Sequence, residues 1–420
     1  MGRIQVVTTV GICELGFDEP RLSVDLDMKP TQSLSSWLQR RGRVGRAWPP
    51  AIGDRSYQTK AILDCRSELK EKRNPLLVLP CGAGKSFIAC KIAQLATQRG
   101  RSIGFLTVRR ALVSDISERL TGFGVQHGVI MPGYSDNAHR TKVASIHTVA
   151  ARDLTLDVDC LFIDEAHLYL STEFSAVLAR HSHIPRVMMT ATPWKANGQG
   201  LGRIADSMVL GPSTEDLIFG GFLVPSRVFT RHVPDTSKVD VNESGEFNEG
   251  QLATVMSQPK IMGDAVKEWL YRAGGRPTIA HCVNVKHSQA VAERFMKAGV
   301  HAVAIDADTP DAERKRVFDE MCRDAQPKEQ SLLIDLAGNC LQFGFPEDPR
   351  EWTLEDRDPK KTAPAALSVR RCEKCWLTYR SSTPACPECG NAYVSTQREI
   401  KEKAAELVEL RRAQKDKAIA

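Results

Sequence analysis

The stretch LLVLPCGAGKSFIAC, residues 76–90, leaves this chain few folds to choose from. An apolar run of strand length passes through a turn holding Gly82 and Gly84 into Lys85 and Ser86, and then into a helix-forming run. A strand that turns tightly into a helix belongs to a parallel sheet, whose neighbouring strands need crossover connections rather than hairpins. The chemistry follows the same order. Glycines let backbone N–H groups close around phosphates, and the helix N-terminus favours negative charge. Lys85 would reach the β- and γ-phosphates of ATP, and the Ser86 hydroxyl would join Mg²⁺ coordination. Gly82, Ala83, Gly84, Lys85 and Ser86 form this core, but the longer G-x4-GK spacing is not met because position 79 is Leu. Taken alone, the segment also suits an ordinary strand–helix turn that happens to contain GKS.

The surrounding pattern extends the α/β class. From Tyr57 the chain predicts helix 57–72, strand 75–80, helix 85–99, strand 102–107, helix 109–121, and strands near 128–131, 143–146 and 159–164. A second run predicts helix 259–273, strand 277–282, helix 285–298, strand 301–305, helix 309–322 and strand 331–335, followed by a polar connector at 345–368. Ahead of both, 4–10 and 22–26 predict short buried strands and 31–41 a helix, with a Pro/Gly joint at 47–56.

CLFIDEAHLYL, 160–170, supplies a second chemical element. A strand delivers Asp164 and Glu165 at its carboxyl end, where open α/β sheets bind ligands. Asp164 would hold Mg²⁺ through water, and Glu165 would orient or deprotonate an attacking water. Two adjacent acids after a strand can also be a solvated turn.

GAGKS, DEAH and TATP (190–193), in that order, resemble the first motor domain of a superfamily 2 DEAD/DEAH-type helicase. The resemblance implies two RecA-like parallel-sheet domains with ATP between them and a nucleic-acid strand gripped across the top. It assigns Arg55 and Gln58 of RSYQ to the adenine, and the segments 105–115 and 144–149 to the nucleic-acid backbone. It makes His167, Thr190 and Thr192 the residues that couple ATP state to strand grip. The segments 278–295 and 302–321 are similar to the start of the second motor domain.

The rest of that domain is found at the N-terminus. IQVVTTVGICELGFDEP, 4–20, resembles the element whose Gly and Asp line the interdomain cleft, here Gly16 and Asp18. QRRGRVGR, 39–46, resembles the final helicase element and carries over Gln39, Arg43 and Arg46, with Arg46 as arginine finger. A solvated basic helix is the plain alternative. The usual family order would put 1–47 between about Met321 and Ser331, so the chain reads as permuted. The expected domains are then 1–47, a displaced part of the second RecA-like domain; 53–210, the first; and 211–345, the second. Docking of 1–47 in cis is expected; docking in trans, or incomplete folding, are the rivals.

Cys372, Cys375, Cys386 and Cys389 have the spacing CxxC-x10-CxxC. Two such knuckles can surround one tetrahedral Zn²⁺ with no open position, which implies a structural zinc ribbon at 369–393. The basic and aromatic residues interleaved there, Arg370, Arg371, Lys374, Trp376, Tyr379 and Arg380, suit either a nucleic-acid contact or the ribbon's own packing. With LLIDLAGN and 209–229, the ribbon narrows the resemblance to bacterial and phage RadD-like repair helicases. Residues 396–420 predict a charged, solvated helix carrying i,i+4 pairs such as Glu399 with Lys403.

No signal-like or membrane-length apolar run is present, and eight of the 12 cysteines are scattered singly, so a cytoplasmic, reduced protein is expected. A net charge of +6 favours a polyanionic partner without establishing one. The expected activity is an ATP-dependent DNA helicase or translocase in repair, recombination or replication. The alternatives are an RNA-acting or duplex-remodelling ATPase, and a zinc-bearing nucleic-acid-binding protein with an inactive motor.

Overall fold

A computed structural model describes residues 3–10, 19–42, 44–47, 55–108, 110–135, 138–195, 197–231, 233–242, 245–357 and 369–393. Gly16, Asp18, Arg43 and the expected charged helix lie outside the described residues.

Two parallel sheets dominate, as the α/β pattern predicts. The first has eight strands, in the order Ser207–Leu210, Pro75–Val78, Arg186–Thr190, Cys160–Ile163, Ile103–Thr107, Lys142–Ser145, Gly128–Met131 and Tyr134–Ser135. Only the last pair is antiparallel. Helices on both faces bury the strands, so they read as near-continuous apolar runs. The helix Lys85–Thr97 starts directly after the glycine turn.

The second sheet has six parallel strands in the order Ser226–Phe229, Ser331–Asp335, Val24–Asp27, Thr278–His281, Val6–Thr9 and Ala302–Ile305. The N-terminal strands therefore flank Thr278–His281 on both sides: Val24 and Val6 both pair with Thr278. Every residue of Val6–Thr9 and Val24–Asp27 is buried. The segment 211–223, read as the start of the second domain, packs instead on the first core through Leu217 and Leu223, and the second sheet begins at Ser226.

Burying Val24–Asp27 puts two carboxylates in the interior. Asp25 and Asp27 are matched by Arg40 and Arg41 of the helix Leu34–Arg41, which Ser33 caps at 3.1 Å from the Ser36 N–H. Arg41 pairs with Asp25 and Asp27 at 2.9 Å each, and Arg40 with Asp27 at 3.0 Å. Asn339 adds a 2.7 Å hydrogen bond to Asp27. Burial tends to raise the Asp27 pKa, but the two guanidiniums win and hold it low; burial, with Asp27 next to it, pushes Asp335 up to about 6. Trp37, fully buried against Val228, Leu333 and Phe345, fixes the other face of this helix.

The ribbon strands Val369–Arg371 and Thr378–Arg380 pair antiparallel and cover the edge strand of the second sheet. Phe229 bridges to Leu377, and the Thr230 N–H donates to the Trp376 carbonyl at 2.9 Å. An open strand edge is thereby closed. The polar connector is in part a strap on the first sheet: Trp352 packs on Trp194, and the Trp194 indole donates to the Glu355 carbonyl at 3.1 Å. Among the described residues no helix is long and apolar enough to cross a membrane.

Candidate active site

The glycine turn takes the shape its sequence requires. Gly82 and Gly84 have φ of +88° and +89°, which side chains rarely adopt. The Ala83 carbonyl accepts hydrogen bonds from the Tyr57 hydroxyl at 2.8 Å and Gln58 Nε2 at 3.1 Å, tying the helix Ser56–Lys70 to the turn. Lys85 Nζ donates to the Leu79 carbonyl at 3.1 Å and stands on the wall of the cleft beside the turn. Around them lies a cleft of about 860 Å³ lined by Arg46, Arg55, Gln58, Lys85, Ser86 and Asp164, with Glu165 and Phe222 also on its wall.

Asp164 and Glu165 end the strand Cys160–Ile163 and are both buried. Burial and the neighbouring Glu165 push Asp164 up to about 7, while Lys85 pulls it back. A buried acid pair facing a lysine and a serine hydroxyl is a donor set that suits Mg²⁺, which would favour the ionised carboxylate. Glu165 holds a left-handed backbone, φ +52°, unusual for a residue with a side chain, and this turn directs the carboxylate toward the other lobe.

There Glu165 Oε2 accepts from Gln39 Nε2 at 3.1 Å and lies 3.5 Å from His167 Nδ1. His167 Nδ1 is 3.2 Å from Thr190 Oγ1, and Thr190 donates to the Thr192 carbonyl at 2.8 Å. Thr192 Oγ1 then donates to Ser35 Oγ at 2.6 Å. Ser35 and Gln39 sit four residues apart, hence on one face of the helix Leu34–Arg41. The polar chain thus leaves that helix at Gln39, crosses the first lobe and returns at Ser35. Burial lowers His167 to about 4, so it acts as a neutral hydrogen-bonding link.

Arg46 also reaches the cleft from the second lobe. It bridges to Leu223, and its Cγ and Nε pack within 3.3 and 3.4 Å of where a Gly82 Cβ would stand. The flanking backbone is held by the Val224 N–H on the Gly45 carbonyl at 2.8 Å. Of the residues named from sequence, Gln39, Arg46, Arg55, Gln58, Gly82, Ala83, Gly84, Lys85, Ser86, Asp164, Glu165, His167, Thr190 and Thr192 all stand at this cleft or in its polar chain. Sequence reasoning did not find Ser35, whose one signal is the i,i+4 spacing from Gln39, nor Phe222, which stacks under the Arg55 guanidinium at 5.0 Å.

The four cysteines converge as their spacing implies. All four sulfurs lie within 4.8 Å of one another, with Cys372 to Cys389 at 3.6 Å and Cys375 to Cys386 at 3.5 Å. Four thiolates about 2.3 Å from a central Zn²⁺ would stand about 3.8 Å apart in a tetrahedron, so the set fits zinc.

Residues 51–195 match the family described as Type III restriction enzyme, res subunit. The chain is 25% identical over 361 residues to a 51.5 kDa protein of Lactococcus phage (isolate 7-9), covering 75% of this chain and 77% of that one. It is 27% identical over 310 residues to a Schizosaccharomyces pombe protein that carries the name mitochondrial ATP-dependent helicase irc3, covering 69% of this chain and 50% of that one. Among solved structures, the DNA-bound ATP-dependent Type ISP restriction-modification enzyme LlaBIII matches with a TM-score of 0.44 at 15% identity, over 68% of this chain and 24% of that one. The UvsW helicase from Bacteriophage T4 matches with a TM-score of 0.31 at 16% identity, over 41% of this chain and 65% of that one.

Proposed function

We propose that the chain is a nucleic-acid-dependent ATP hydrolase of the superfamily 2 helicase type, acting on DNA, with 1–47 supplying in cis a permuted part of its second motor domain. The observation that carries this is the meeting of Lys85, Asp164 and Glu165 from one sheet with Gln39 and Arg46 from the other at one cleft. Matching of 51–195 to the family described as Type III restriction enzyme, res subunit, and a relative named as an ATP-dependent helicase, support the enzyme class. A RadD-like role in DNA repair rests on the sequence resemblance and the ribbon.

In this mechanism the turn at 82–86 cradles the triphosphate, and Lys85 binds its β- and γ-oxygens. Mg²⁺, held by Ser86 and by Asp164 through water, would neutralise charge on the β- and γ-phosphates. Glu165, oriented by Gln39, positions the attacking water and takes its proton. Arg46 places a permanent charge where the γ-phosphate gains negative charge. Because Ser35 and Gln39 share one helix, the polar chain ties that helix to Glu165 at one end and to Thr192 at the other, so a shift of either lobe is felt at both contacts.

The test is ATP hydrolysis by the full chain with and without single-stranded DNA, against Arg46→Ala. Stimulated turnover that disappears in the variant, with nucleotide still bound, supports the assignment. A chain that hydrolyses no ATP, with Zn²⁺ bound and the fold intact, would overturn it in favour of a nucleic-acid-binding module. Stimulation by RNA alone would move the substrate from DNA to RNA. Deleting 1–47 is uninformative, because it removes two interior strands of the second sheet.

A further inference from the structure

A second groove lies apart from the nucleotide cleft and shares no lining residue with it. It has a volume of about 1150 Å³ and runs between the helices Pro259–Arg272 and Val285–Lys297 on one side and the cysteine ribbon on the other. We infer that this groove binds a single strand of nucleic acid, with phosphates on Lys267, Arg294, Lys297 and Lys374 and an unpaired base on Tyr271. The inference rests on the motor function proposed above and adds to it a second point of contact, away from the ATP.

Charge decides the class of ligand. Four cations, Lys267, Arg294, Lys297 and Lys374, line the groove, are exposed, and make no side-chain hydrogen bond or ion pair among the described residues. The two acids on its wall are already matched. Glu268 is held by Arg231 and by Arg272 at 2.7 Å, and Glu388 pairs with Arg227. A Zn²⁺ held by four thiolates carries a net charge of −2, and Cys375 and Cys389 line this groove, yet the four cations outnumber that charge and leave the wall positive, which suits a polyanion.

The aromatic residues decide its form. Tyr271 is 79% exposed, with the Arg272 guanidinium 5.1 Å from its ring and the rest of the ring open to solvent. Trp376, also on the groove wall, has the guanidiniums of Arg231 and Arg371 at 5.6 and 5.4 Å from its ring. A π-face among cations takes an unpaired base, which a duplex does not present.

The groove is also rigidly built. Trp376 has φ +67°, an unusual backbone for a bulky residue. It is held there by its own N–H on the Cys372 carbonyl at 3.0 Å and by the Thr230 N–H on its carbonyl at 2.9 Å. Arg272 donates to the Cys375 carbonyl at 2.8 Å, which locks the ribbon to the helix. The cysteine centre thus sets one wall of a binding surface as well as folding its own loop.

The experiment uses the full zinc-loaded chain and a fluorescently labelled oligodeoxythymidine, with anisotropy read across a salt series. Stimulation of wild-type ATP hydrolysis by the same oligonucleotide is measured first. If the wild type neither binds nor responds, the motor function itself fails, and this assignment with it. If the wild type binds and responds, Lys267→Ala/Arg294→Ala/Lys297→Ala should lower the slope of log affinity against log salt by about 2, at roughly 0.7 for each phosphate no longer neutralised. Tyr271→Ala should weaken binding about ten-fold with an unchanged salt slope, and Tyr271→Phe should restore it. Lys267→Arg/Lys297→Arg, which keeps the charge, should bind as the wild type does. Wild-type affinity and slope in the triple variant and in Tyr271→Ala would overturn the groove assignment while leaving the motor intact. So would a labelled acidic peptide that binds the wild type and loses affinity in the triple variant while the oligonucleotide does not.

Discussion

Gly42 offers the sharpest separation of motor geometry from folding. It ends the helix that carries Ser35 and Gln39, and its backbone is right-handed, φ −59° and ψ −14°, a conformation alanine adopts without strain. Alanine there should therefore stabilise the second lobe slightly, by up to about 1 kcal/mol, through lower unfolded-chain entropy. The added Cβ, however, would stand 2.1 Å from Cys81 Cβ and 3.2 Å from Cys81 Sγ, beside the phosphate turn of the other lobe. Carbon atoms pack at about 3.5–4.0 Å, so the lobes must part by over an ångström on this line. Overpacking of that kind costs about 1–3 kcal/mol. Here the cost falls on the closed arrangement alone, so stimulated turnover should drop about 5- to 150-fold. Urea unfolding should meanwhile show stability unchanged or raised. Gly42→Ala combined with Cys81→Gly, which removes the clashing Cβ, should recover much of the loss. Turnover within two-fold of wild type in Gly42→Ala, or a loss of turnover that tracks a loss of stability, would refute this account of how the lobes meet.

Other perturbations read other links. Arg41→Met leaves Asp25 and Asp27 buried with one fewer cation; breaking a buried pair costs about 3–5 kcal/mol, and pairing the change with Asp25→Leu should return part of it. A urea midpoint unchanged from wild type would count against the network. Ser35→Ala removes the 2.6 Å bond to Thr192 and should lower nucleic-acid stimulation several-fold while nucleotide affinity, read by a fluorescent ATP analogue, holds; equal losses in both would mean Ser35 serves folding only. Lys328 donates to the Leu22 carbonyl and to the Val44 carbonyl at 2.9 Å, and burial brings it down to about 7. The unfolded lysine keeps its proton to about pH 10.4, so this group adds stability as pH rises above 7. Wild type should gain up to about 2 kcal/mol over Lys328→Met between pH 7.5 and 9, and parallel pH profiles would contradict it. Cys386→Ser should release Zn²⁺, measured by metal analysis, and uncover the edge strand Ser226–Phe229, with aggregation as the visible result.

What could be read from sequence was whatever is specified locally. The turn at 82–86 needs glycine at positive φ, and the acids 164–165 need a strand before them; both requirements act within a few residues. Strands Arg186–Thr190, Ser207–Leu210 and Ser226–Phe229 escaped, because they are four or five residues long and two of them are half-exposed sheet edges without an unbroken apolar run. The buried strand at 22–26 is legible, but the network of Asp25 and Asp27 with Arg40 and Arg41 is not, because nothing in VDLD announces those partners. Ser35 was hidden likewise, since its partner Thr192 lies 157 residues away.

The same distinction explains how the N-terminal segment can serve a cleft whose other parts come hundreds of residues later. A parallel strand is registered by its spatial neighbours, and Val6–Thr9 has Thr278–His281 on one side and Ala302–Ile305 on the other. Val24–Asp27 is held between Thr278–His281 and Ser331–Asp335 in the same way. Both N-terminal strands are interior, and the second closes its network with Arg41 of the helix that follows it. Chain order thus alters which loops must be made without altering which residues face the ATP. The cost of this chain order should appear in folding kinetics, because the strand Val6–Thr9 waits for a partner some 270 residues later, and long-range pairing folds slowly. Refolding of the full chain should therefore be slow in its second sheet and faster in its first, where Pro75–Val78 meets Arg186–Thr190 after a shorter separation. Pulsed hydrogen exchange that protects Thr278–His281 as early as Pro75–Val78 would count against that order.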